Sequence, residues 1–487
     1  MSIKSALLKA YFSRREVSID YFRRHPIEVQ EQMLRYLLRR GADTEFGERY
    51  NLRNIRTAEQ FSDRVETFDY ETYRPFRERM LEGQRNVTTR GRVTLYAKSS
   101  GTTSDRSKYI PVTRESLWHH HTLGMRDVAT LFSAAHPRSK ALEGKTLTLG
   151  GTCHREGANL VGDLSAVLIH ETPAWSGWFR APRMQTAILD NFDQKCERIC
   201  RECVDERISV FAGVPSWNLM LMRRVLEYTG KANLLEVWPH LELFAHGGVE
   251  FAPYRASFER LLPSTAMCYM ETYNASEGFF GIADDPSRDD MLLMLDYGTY
   301  YEFRRGTQIV PLAGVELGGV YALLISSNNG LWRYEIGDQV EITSMDPYRI
   351  RFAGRTQQYL NVFGEELLVS NTDRALAEAC QRTGAVVEEY TVAPCFMSLD
   401  VRGAHEWLVE FVTPPAAGTH FGRELDEALR ALNSDYDAKR GSTLDPLRVT
   451  LLPQGTFMKW LRERGKNKVP RLMNDRKVAE EVMKIKL

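Results

Sequence analysis

The stretch VTLYAKSSGTTSDRSKYIPVT, residues 93–113, is the starting point for interpreting the chain. Its apolar, β-branched beginning, VTLYA, predicts a strand. Small and hydroxylated residues follow around Gly101, and such a backbone can surround a phosphate with N–H groups while the hydroxyls add donors. Lys108 supplies a positive charge. The Gly-Lys-Ser/Thr ending of a P-loop is missing, and a Ser/Thr surface loop is the alternative interpretation, so this stretch alone leaves the function open.

The same pattern of an apolar run ending in small residues recurs further along. KTLTLGG (145–151) and ISVFAGVP (208–215) repeat it, and helical segments such as 114–132 separate the runs. The first fifty residues have the spacing of amphipathic helices, with Leu34, Leu37 and Leu38 in a helical rhythm that ends at Gly41. Further strands are predicted at 266–274, 291–303, 318–328 and 339–345. This alternation predicts an α/β fold in which helices flank β-sheets.

The pattern changes near residue 355. From residue 356 onward it predicts a helix (371–384), two strands (386–396 and 405–415), a helix (422–434) and a last strand (447–455). That order is typical of a small α+β unit. We therefore predict a large N-terminal domain over 1–355 and a small, mobile C-terminal domain over 356–487, joined by a short hinge at Gly354 and Arg355.

Composition narrows the classes of function. Among 487 residues, 64 basic and 64 acidic side chains give a net charge of zero. Proteins that bind nucleic acids or anionic membranes through charge usually have a basic excess or a polybasic patch, so neither partner is expected. We read no signal peptide, and no run approaches the ~20 apolar residues that cross a bilayer. The seven cysteines are an odd, thinly spread set, which fits a reducing cytoplasm.

Two clusters of metal-ligand residue types have simpler explanations. Cys196, Cys200 and Cys203 have the spacing of an iron–sulfur motif, but the same spacing lies on one face of a helix, and the segment has no Gly or Pro. We interpret it as an amphipathic core helix. The three histidines at 119–121 point about 100° apart in a helix and cannot meet at one metal ion. We expect them in a solvated helix segment.

Four further motifs follow in order. METYNASEGFF (270–280) places Tyr273 and Glu277 where a strand ends, and LWRYEIGDQVEIT (331–343) places Asp338 after Gly337 in a predicted turn. RFAGRTQQYLNVFGEELL (351–368) spans the predicted hinge. In GTFMKWLRERGKNKVPRLMND (455–475), Lys466, Lys468 and Arg471 surround Pro470 in a segment that is not expected to be helical. Each motif by itself is also compatible with an ordinary turn or a solvated surface.

Taken in order, the five motifs resemble those of the adenylate-forming enzymes, and more narrowly those of the auxin-responsive acyl acid amido synthetases and their bacterial relatives. The resemblance spans roughly residues 90–475. It implies an enzyme that uses ATP and Mg²⁺ to activate a small carboxylic acid as an acyl-adenylate. The acyl group would then pass to an amine, with an amino acid as the expected acceptor. The cysteine usage leads us to expect a cytoplasmic protein, and we also expect a monomer.

The resemblance also assigns roles to individual residues. Lys468 would be the catalytic lysine that reaches the α-phosphate and carboxylate, and Glu277 would hold magnesium. Tyr273 would lie against the adenine, and Asp338 would bind the ribose hydroxyls. Together with these two, the residues expected to bind ATP are Ser99, Ser100, Thr102, Thr103, Lys108, Gly247, Gly248, Thr272, Asn274, Ser276 and Arg355.

The chain departs from the family's pattern at two positions. Asp105 stands where many members have a glycine, and a negative charge there argues against a phosphate contact at that tip of the loop. Gln357 stands where related acyl-CoA ligases commonly have an aspartate, so the hinge position can differ. For the acyl pocket, aromatic residues such as Trp118, Phe211, Trp217 and Phe279 are candidates, but each is equally compatible with the core.

Two other functions remain open at this point. An enzyme that forms the same acyl-adenylate could transfer the acyl group to coenzyme A or to a carrier-protein thiol. Alternatively, the protein could be a non-catalytic nucleotide-binding relative in which the motifs are relics. Replacing the amine by coenzyme A in a product assay separates the first alternative, and nucleotide affinity that is insensitive to substitution of Glu277 or Asp338 would support the second.

Overall fold

The structure is a computed structural model. It describes residues 3–99, 108–248, 251–355, 359–360, 362, 365, 367–396, 402–440, 444–473 and 475–485. The chain divides into two compact units. Unit 1 comprises residues 1–99, 107–249 and 261–351, and unit 2 comprises 100–106, 250–260 and 352–487. Assigning ATP and acyl binding to the first and a catalytic cap to the second stays a prediction.

The described residues form strands and helices throughout both units. The strands are β1 (Leu95–Ser99), β2 (Lys108–Val112), β3 (Lys145–Thr148), β4 (Cys153–Glu156), β5 (Asn159–Gly162), β6 (Arg180–Ala181), β7 (Ile208–Gly213), β8 (Leu243–Gly247), β9 (Cys268–Ala275), β10 (Gly278–Ile282), β11 (Met291–Leu293), β12 (Thr299–Arg305), β13 (Gln308–Pro311), β14 (Val320–Ser327), β15 (Tyr334–Met345), β16 (Tyr348–Arg355), β17 (Tyr359–Leu360), β18 (Leu367–Leu368), β19 (Val386–Cys395), β20 (Ala404–Thr413) and β21 (Arg448–Leu452). The α-helices are α1 (Ile3–Arg24), α2 (Pro26–Gly41), α3 (Glu45–Arg49), α4 (Ala58–Arg64), α5 (Arg74–Leu81), α6 (Arg114–Ser116), α7 (Leu123–Ala135), α8 (Leu164–Glu171), α9 (Met184–Ala187), α10 (Phe192–Cys203), α11 (Pro215–Thr229), α12 (Ala252–Leu261), α13 (Val369–Thr383), α14 (Phe421–Leu432), α15 (Ser434–Arg440), α16 (Thr456–Arg464) and α17 (Lys477–Met483).

Within the described residues, unit 1 is built on a large sheet of twelve strands, in the order β13-β12-β14-β15-β16-β11-β10-β9-β8-β7-β3-β6. The pairs β6–β3, β3–β7, β7–β8 and β8–β9 are parallel. Strands β7 and β8 are almost wholly buried, as expected for parallel strands covered by helices on both faces. A smaller sheet has the order β2-β1-β5-β4. The predicted α/β class is confirmed.

The structure corrects two details of the predicted strands. The run 291–303 is two strands, because the chain leaves the sheet after β11 and returns at β12, with Gly298 at φ +72° between them. Asp338 lies inside β15 rather than in a turn between strands. The apolar pattern of residues 291–303 does not mark where the first strand ends. The Gly-Asp pair at 337–338 is typical of a turn and does not show that the strand continues through it.

The two clusters of metal-ligand residue types have different outcomes. The cysteines lie on helix α10, where Cys196, Cys200 and Cys203 are all buried, so the predicted core helix is confirmed. Burial raises the pKa of the Cys196 and Cys203 thiols to about 12. The prediction of solvated histidines is wrong: His120 and His121 are buried, because residues 117–122 form a π-helix that packs against the large sheet.

Unit 2 has a three-stranded sheet, β19-β20-β21, in its described part. The predicted order of helix, two strands, helix and strand is confirmed as α13, β19, β20, α14 and β21. Helices α15, α16 and α17 are additional. One apolar core lies between the sheet and α13 and α14, around Trp407, and a second lies against α16 and α17, around Trp460. No helix in the described ranges is long and apolar enough to cross a bilayer.

Candidate active site

The first part of the candidate site lies where β8 and β9 run side by side. Their parallel register pairs Gly247 with Thr272, at the carboxyl end of β8. The Thr272 hydroxyl donates a 3.0 Å hydrogen bond to the His246 carbonyl oxygen. A Cβ on Gly247 would lie 2.3 Å from the Thr272 carbonyl oxygen, so the close strand contact requires glycine there. In open α/β sheets, ligands bind at the carboxyl ends of parallel strands.

The second part joins two predicted residues that are 65 positions apart in the sequence. The Tyr273 hydroxyl donates a 2.6 Å hydrogen bond to Oδ2 of Asp338, and both side chains are buried. The Tyr273 ring packs edge-on against Phe280, with 5.0 Å between the ring centroids. These contacts therefore hold the Tyr273 ring in place and orient the Asp338 carboxylate.

An irregularity in β15 directs Asp338 into this pair. In the antiparallel pairing of β14 and β15, Leu324 lies opposite Glu335 and Ala322 lies opposite Gln339. Over this interval β15 therefore contains two more residues than β14. Gly337 lies within the bulge at φ +87°, a conformation that glycine adopts without steric cost. The Gly-Asp pair noticed in the sequence is therefore a bulge that re-aims a side chain, rather than a turn.

The third part is the turn between β9 and β10, which contains Ser276 and Glu277. Glu277 is buried, and its carbonyl oxygen accepts a 3.0 Å hydrogen bond from Nδ2 of Asn329. The Ser327 hydroxyl donates a 2.5 Å hydrogen bond to Oδ1 of Asn329. Asn329 thus holds the turn in place. Sequence reasoning missed it, although Asn-Asn-Gly at 328–330 is a turn signal.

The π-helix supplies another residue that sequence reasoning missed. Nδ1 of His121 lies 2.9 Å from Oδ1 of Asn274, the residue that follows Tyr273. Burial lowers the pKa of His121 to about 4, so the ring is neutral at pH 7 and Nδ1–H donates to the amide oxygen. His119 and His120 have other neighbours, Asn328 and Thr299. Three consecutive histidines therefore reach three different places in unit 1, namely β9, β12 and the turn that follows β14.

The β1–β2 hairpin flanks the predicted phosphate loop. Ser99 and Lys108 form its last register pair and so lie opposite each other. The Lys108 ammonium lies 5.4 Å from the centroid of the Tyr70 ring. Two residues before that tyrosine, Phe68 forms a parallel bridge with Tyr334, the first residue of β15. Residues 68–70 therefore contact both Lys108 and β15, the strand that contains Asp338.

The remaining predicted ATP-binding residues are placed as follows. Gly248 follows β8 at φ +82°. Arg355 ends β16, and its side chain is outside the described part of the structure. The loop residues Ser100, Thr102 and Thr103 lie outside the described residues, as do Asp105 and Gln357.

Lys468 belongs to unit 2 and is partly buried. The segment after it is tied to β19: the Thr391 hydroxyl donates a 2.6 Å hydrogen bond to the Pro470 carbonyl oxygen, and Leu472 bridges Val392. Arg471 is buried, forms an ion pair with Glu389 and lies 4.4 Å from the Tyr390 ring. Arg471 is therefore a structural anchor for this segment, whereas the sequence grouped it with the two lysines.

Several candidates for an acyl pocket belong to the core instead. Phe211 and Phe279 are fully buried, whereas Trp118 is 57% exposed and Trp217 is partly buried against Phe192. Among the described residues no group of three or more His, Cys, Asp or Glu side chains is arranged to bind a metal ion.

The comparison with known families agrees with this architecture. The GH3 family N-terminal domain matches residues 15–267, the central domain 292–355 and the C-terminal domain 370–477. The chain belongs to the GH3 family. The family predicted from the five motifs is therefore confirmed.

Curated GH3 relatives match this chain over most of their length. "Probable indole-3-acetic acid-amido synthetase GH3.1" of Arabidopsis thaliana is 24% identical, over 95% of this chain and 92% of its own. "Indole-3-acetic acid-amido synthetase GH3.8" of Oryza sativa subsp. indica is also 24% identical, over 93% of this chain and 89% of its own. Both relatives are amide-forming ligases by name.

Solved structures show the same GH3 fold. The structure titled "GH3.15 acyl acid amido synthetase" has a TM-score of 0.80 at 16% identity, with 98% of this chain and 96% of that chain covered. A 2-hydroxyisobutyryl-CoA ligase in the postadenylation state has a TM-score of 0.59 at 13% identity, covering 93% and 91% of the two chains. At these identities the likeness concerns the fold, which is that of the adenylate-forming enzymes.

Proposed function

We propose that this GH3 protein is an ATP-dependent acyl acid amido synthetase, which joins a small carboxylic acid to the amino group of an amino acid. The class of enzyme rests on the family and on relatives named as amido synthetases that match nearly end to end. The structural observation behind the proposal is the Tyr273–Asp338 hydrogen bond, since it assembles two of the motif residues assigned to the nucleotide.

The reaction has two balanced steps. A carboxylate oxygen of the acid attacks the α-phosphorus of ATP, the bond to the β-phosphate bridging oxygen breaks, and pyrophosphate leaves. The amino nitrogen of the acceptor then attacks the acyl carbon, the bond from that carbon to the AMP oxygen breaks, and AMP leaves as the nitrogen loses a proton. Activation is needed because a free carboxylate has no good leaving group, whereas AMP is one.

The proposal gives a part in the reaction to residues of both units. Asp338, oriented by Tyr273, accepts hydrogen bonds from the ribose hydroxyls. The base lies beside the close backbone contact of Gly247 and Thr272, at the carboxyl end of β8. Lys108, opposite Ser99, supplies positive charge beside the phosphate loop. We propose Lys468 as the catalytic lysine of adenylation, held in unit 2 by the anchored segment that follows it.

Magnesium fits the chemistry of Glu277. One carboxylate in a turn that Asn329 fixes suits an ion that arrives with the triphosphate and keeps several water ligands. Bound there, Mg²⁺ would neutralise charge on the departing pyrophosphate. Glu277 binds and orients the ion, and Ser276 offers a hydroxyl in the same turn.

A product assay tests the proposal. Purified protein is incubated with ATP, Mg²⁺, a panel of aromatic and aliphatic carboxylic acids, and either a mixture of amino acids or coenzyme A. We expect acid-dependent release of pyrophosphate, and AMP and an N-acyl amino acid by mass spectrometry. A thioester with coenzyme A and no amide would identify the acyl-CoA ligase alternative. No pyrophosphate and no acyl-hydroxamate with any acid would contradict an adenylating enzyme altogether.

Two further expectations concern the oligomeric state and the location of the protein. We propose that the protein acts as a monomer in the cytoplasm. Size-exclusion chromatography with light scattering gives the mass directly: a species near 55.9 kDa supports the monomer, and a multiple of that mass contradicts it.

A further inference from the structure

A second pocket lies at the opposite end of the parallel strands from Gly247 and Thr272. It is a cavity of about 700 Å³ in unit 1, within the range of about 300–1,000 Å³ typical of small-molecule sites. Lys145, the first residue of β3, and Arg180, the first residue of β6, line it together with residues that precede β7. These are the amino ends of parallel strands, whereas Gly247 ends β8. At about 3.3 Å per residue, the five-residue β8 separates the two ends by roughly 15 Å.

The charges that line this pocket do not balance. Four basic side chains, of Lys145, Arg180, Arg183 and Arg201, line it with two carboxylates, of Glu202 and Glu206, and Arg201 pairs with Glu197 of α10 at 2.5 Å. Both carboxylates are already engaged. Glu206 pairs with Lys145 at 2.6 Å. Glu202 accepts a 2.6 Å hydrogen bond from the Thr186 hydroxyl and a 3.2 Å hydrogen bond from the Arg183 backbone N–H.

Arg180 has an unusual environment for an arginine. It is partly buried, and its Nη1 donates a 3.0 Å hydrogen bond to the Thr172 hydroxyl, while its buried Nε has no hydrogen-bond partner among the described residues. In the described part of the chain no carboxylate lies within 4.0 Å of the Arg180 or Arg183 guanidinium groups. Burial lowers the pKa of Arg180, as expected for a cation without a compensating charge. A partly buried charge of this kind is costly unless an anion compensates it.

Much of the remaining lining is apolar, and the Thr172 and Ser176 side chains also contribute to it. Pro173, Pro182 and Met184 contribute carbon surface beside the guanidinium groups. Inorganic phosphate would satisfy the charges but would leave this surface uncovered. A molecule with one anionic group and an apolar body would match both features, because arginine binds planar carboxylates through two parallel hydrogen bonds.

We propose that this pocket, at the amino ends of β3 and β6, is a second binding site for a small organic anion that has one carboxylate and an apolar body. Arg180 and Arg183 contact the anionic group, and Pro182 and Met184 contact the body. The site is separate from the nucleotide site and does not depend on the proposed reaction.

Isothermal titration calorimetry with naphthalene-1-sulfonate tests this site, because a sulfonate presents the same charge and cannot be adenylated. We expect one site per chain. Arg180→Met should weaken binding at least about tenfold, the equivalent of roughly 1.4 kcal/mol. The matched control is Arg198→Met, which removes the same charge from an exposed position of α10 outside the pocket. Unchanged affinity in Arg180→Met, or an equal loss in Arg198→Met, would overturn the proposal.

A second variant protects the test against a folding defect. Arg183 is exposed, so Arg183→Met is expected to fold normally, which circular dichroism checks. It should weaken naphthalene-1-sulfonate binding about threefold, because a rim charge contributes less than a partly buried one. If Arg180→Met does not fold and Arg183→Met binds like the wild type, the proposal is wrong. Pyrophosphate release plays no part in this measurement, so its outcome is independent of the proposed function.

Discussion

The hydroxyl of Tyr273 on β9 donates a 2.6 Å hydrogen bond to the carboxylate of Asp338 on β15. In the large sheet, strands β10, β11 and β16 lie between these two strands. The hydrogen bond therefore connects two strands that are not neighbours in the sheet, and the aspartate that accepts it follows Gly337 in the bulge of β15. Two residues from motifs that are each weak signals in the sequence thus form one polar pair.

Removing this hydrogen bond should weaken nucleotide binding. In Tyr273→Phe, Asp338 stays buried without the phenol donor, and a hydrogen bond to a charged group contributes about 1.5–3 kcal/mol. We expect the KM for ATP to rise about tenfold and the midpoint of urea unfolding to fall. Steady-state pyrophosphate release and urea titration measure the two effects. Tyr228→Phe, at an exposed position of α11, should change neither; an unaltered KM in Tyr273→Phe would remove the pair from the nucleotide site.

The contact between β8 and β9 should not tolerate a methyl group. In Gly247→Ala the new Cβ would lie 2.3 Å from the Thr272 carbonyl oxygen, so the two strands must separate at the end where the nucleotide is proposed to bind. We expect a loss of about 1–3 kcal/mol in stability, together with weaker ATP binding. Gly422→Ala is the control, because its Cβ would meet Val449 at an ordinary 3.4 Å. Differential scanning fluorimetry with and without ATP distinguishes the variants, and equal melting temperatures would contradict the expectation.

His121 should make the folded state sensitive to acid. Its pKa is lowered from 6.5 to about 4, so between these values the unfolded chain binds a proton that the folded chain does not. The contribution of His121 to the free energy of unfolding, a few kcal/mol, is therefore fully present above pH 6.5 and is lost as the pH falls toward 4. His121→Gln keeps a donor for Asn274 but does not titrate. Urea unfolding at pH 7 and pH 5 should show a smaller decrease in this variant, while exposed His154→Gln should behave like the wild type.

The two lysines near the C-terminus should differ in their effect on adenylation. Lys468→Ala is expected to lower acid-dependent pyrophosphate release at least about a hundredfold, because it removes a charge that stabilises the developing pentacovalent phosphorus. ATP affinity, measured by calorimetry, should change less than about threefold, since the ground state is little affected. Lys466 lies 5.6 Å from the Trp460 ring, so Lys466→Ala should retain most activity. The reverse pattern would show that Lys466 is the catalytic residue.

Glu277 should depend on Asn329 for its position. Asn329→Ala removes the donor to the Glu277 carbonyl oxygen and frees the turn between β9 and β10. We expect the Mg²⁺ concentration for half-maximal pyrophosphate release to rise about threefold to tenfold, with kcat at saturating Mg²⁺ little changed. Substituting the partly buried Asn233, which caps a short helix elsewhere in unit 1, is the control. An unchanged Mg²⁺ requirement in Asn329→Ala would contradict a role for the turn in metal binding.

Local patterns predicted most of the elements correctly. The apolar runs that became β1, β3 and β7 and the helical spacing of α10 depend on which face is buried, and residue periodicity reports that directly. The histidine run shows where this logic fails. Spacing correctly indicated that the three rings point in different directions, but burial depends on what packs outside the helix, and that information is not local.

The sequence by itself determined the α/β class, the order of the motifs and therefore the family, because these depend on residue type and periodicity along the chain. Only the tertiary structure decided that Asp338 lies in a strand bulge beside Tyr273, that His121 and Asn329 hold the turn and strand around Glu277, and that Arg471 is an anchor. It also placed Arg180 in the lining of a cavity, where no carboxylate of the described residues pairs with it. Each of these facts depends on contacts between residues far apart in the sequence, and such contacts exist only once the strands have paired and the helices have packed.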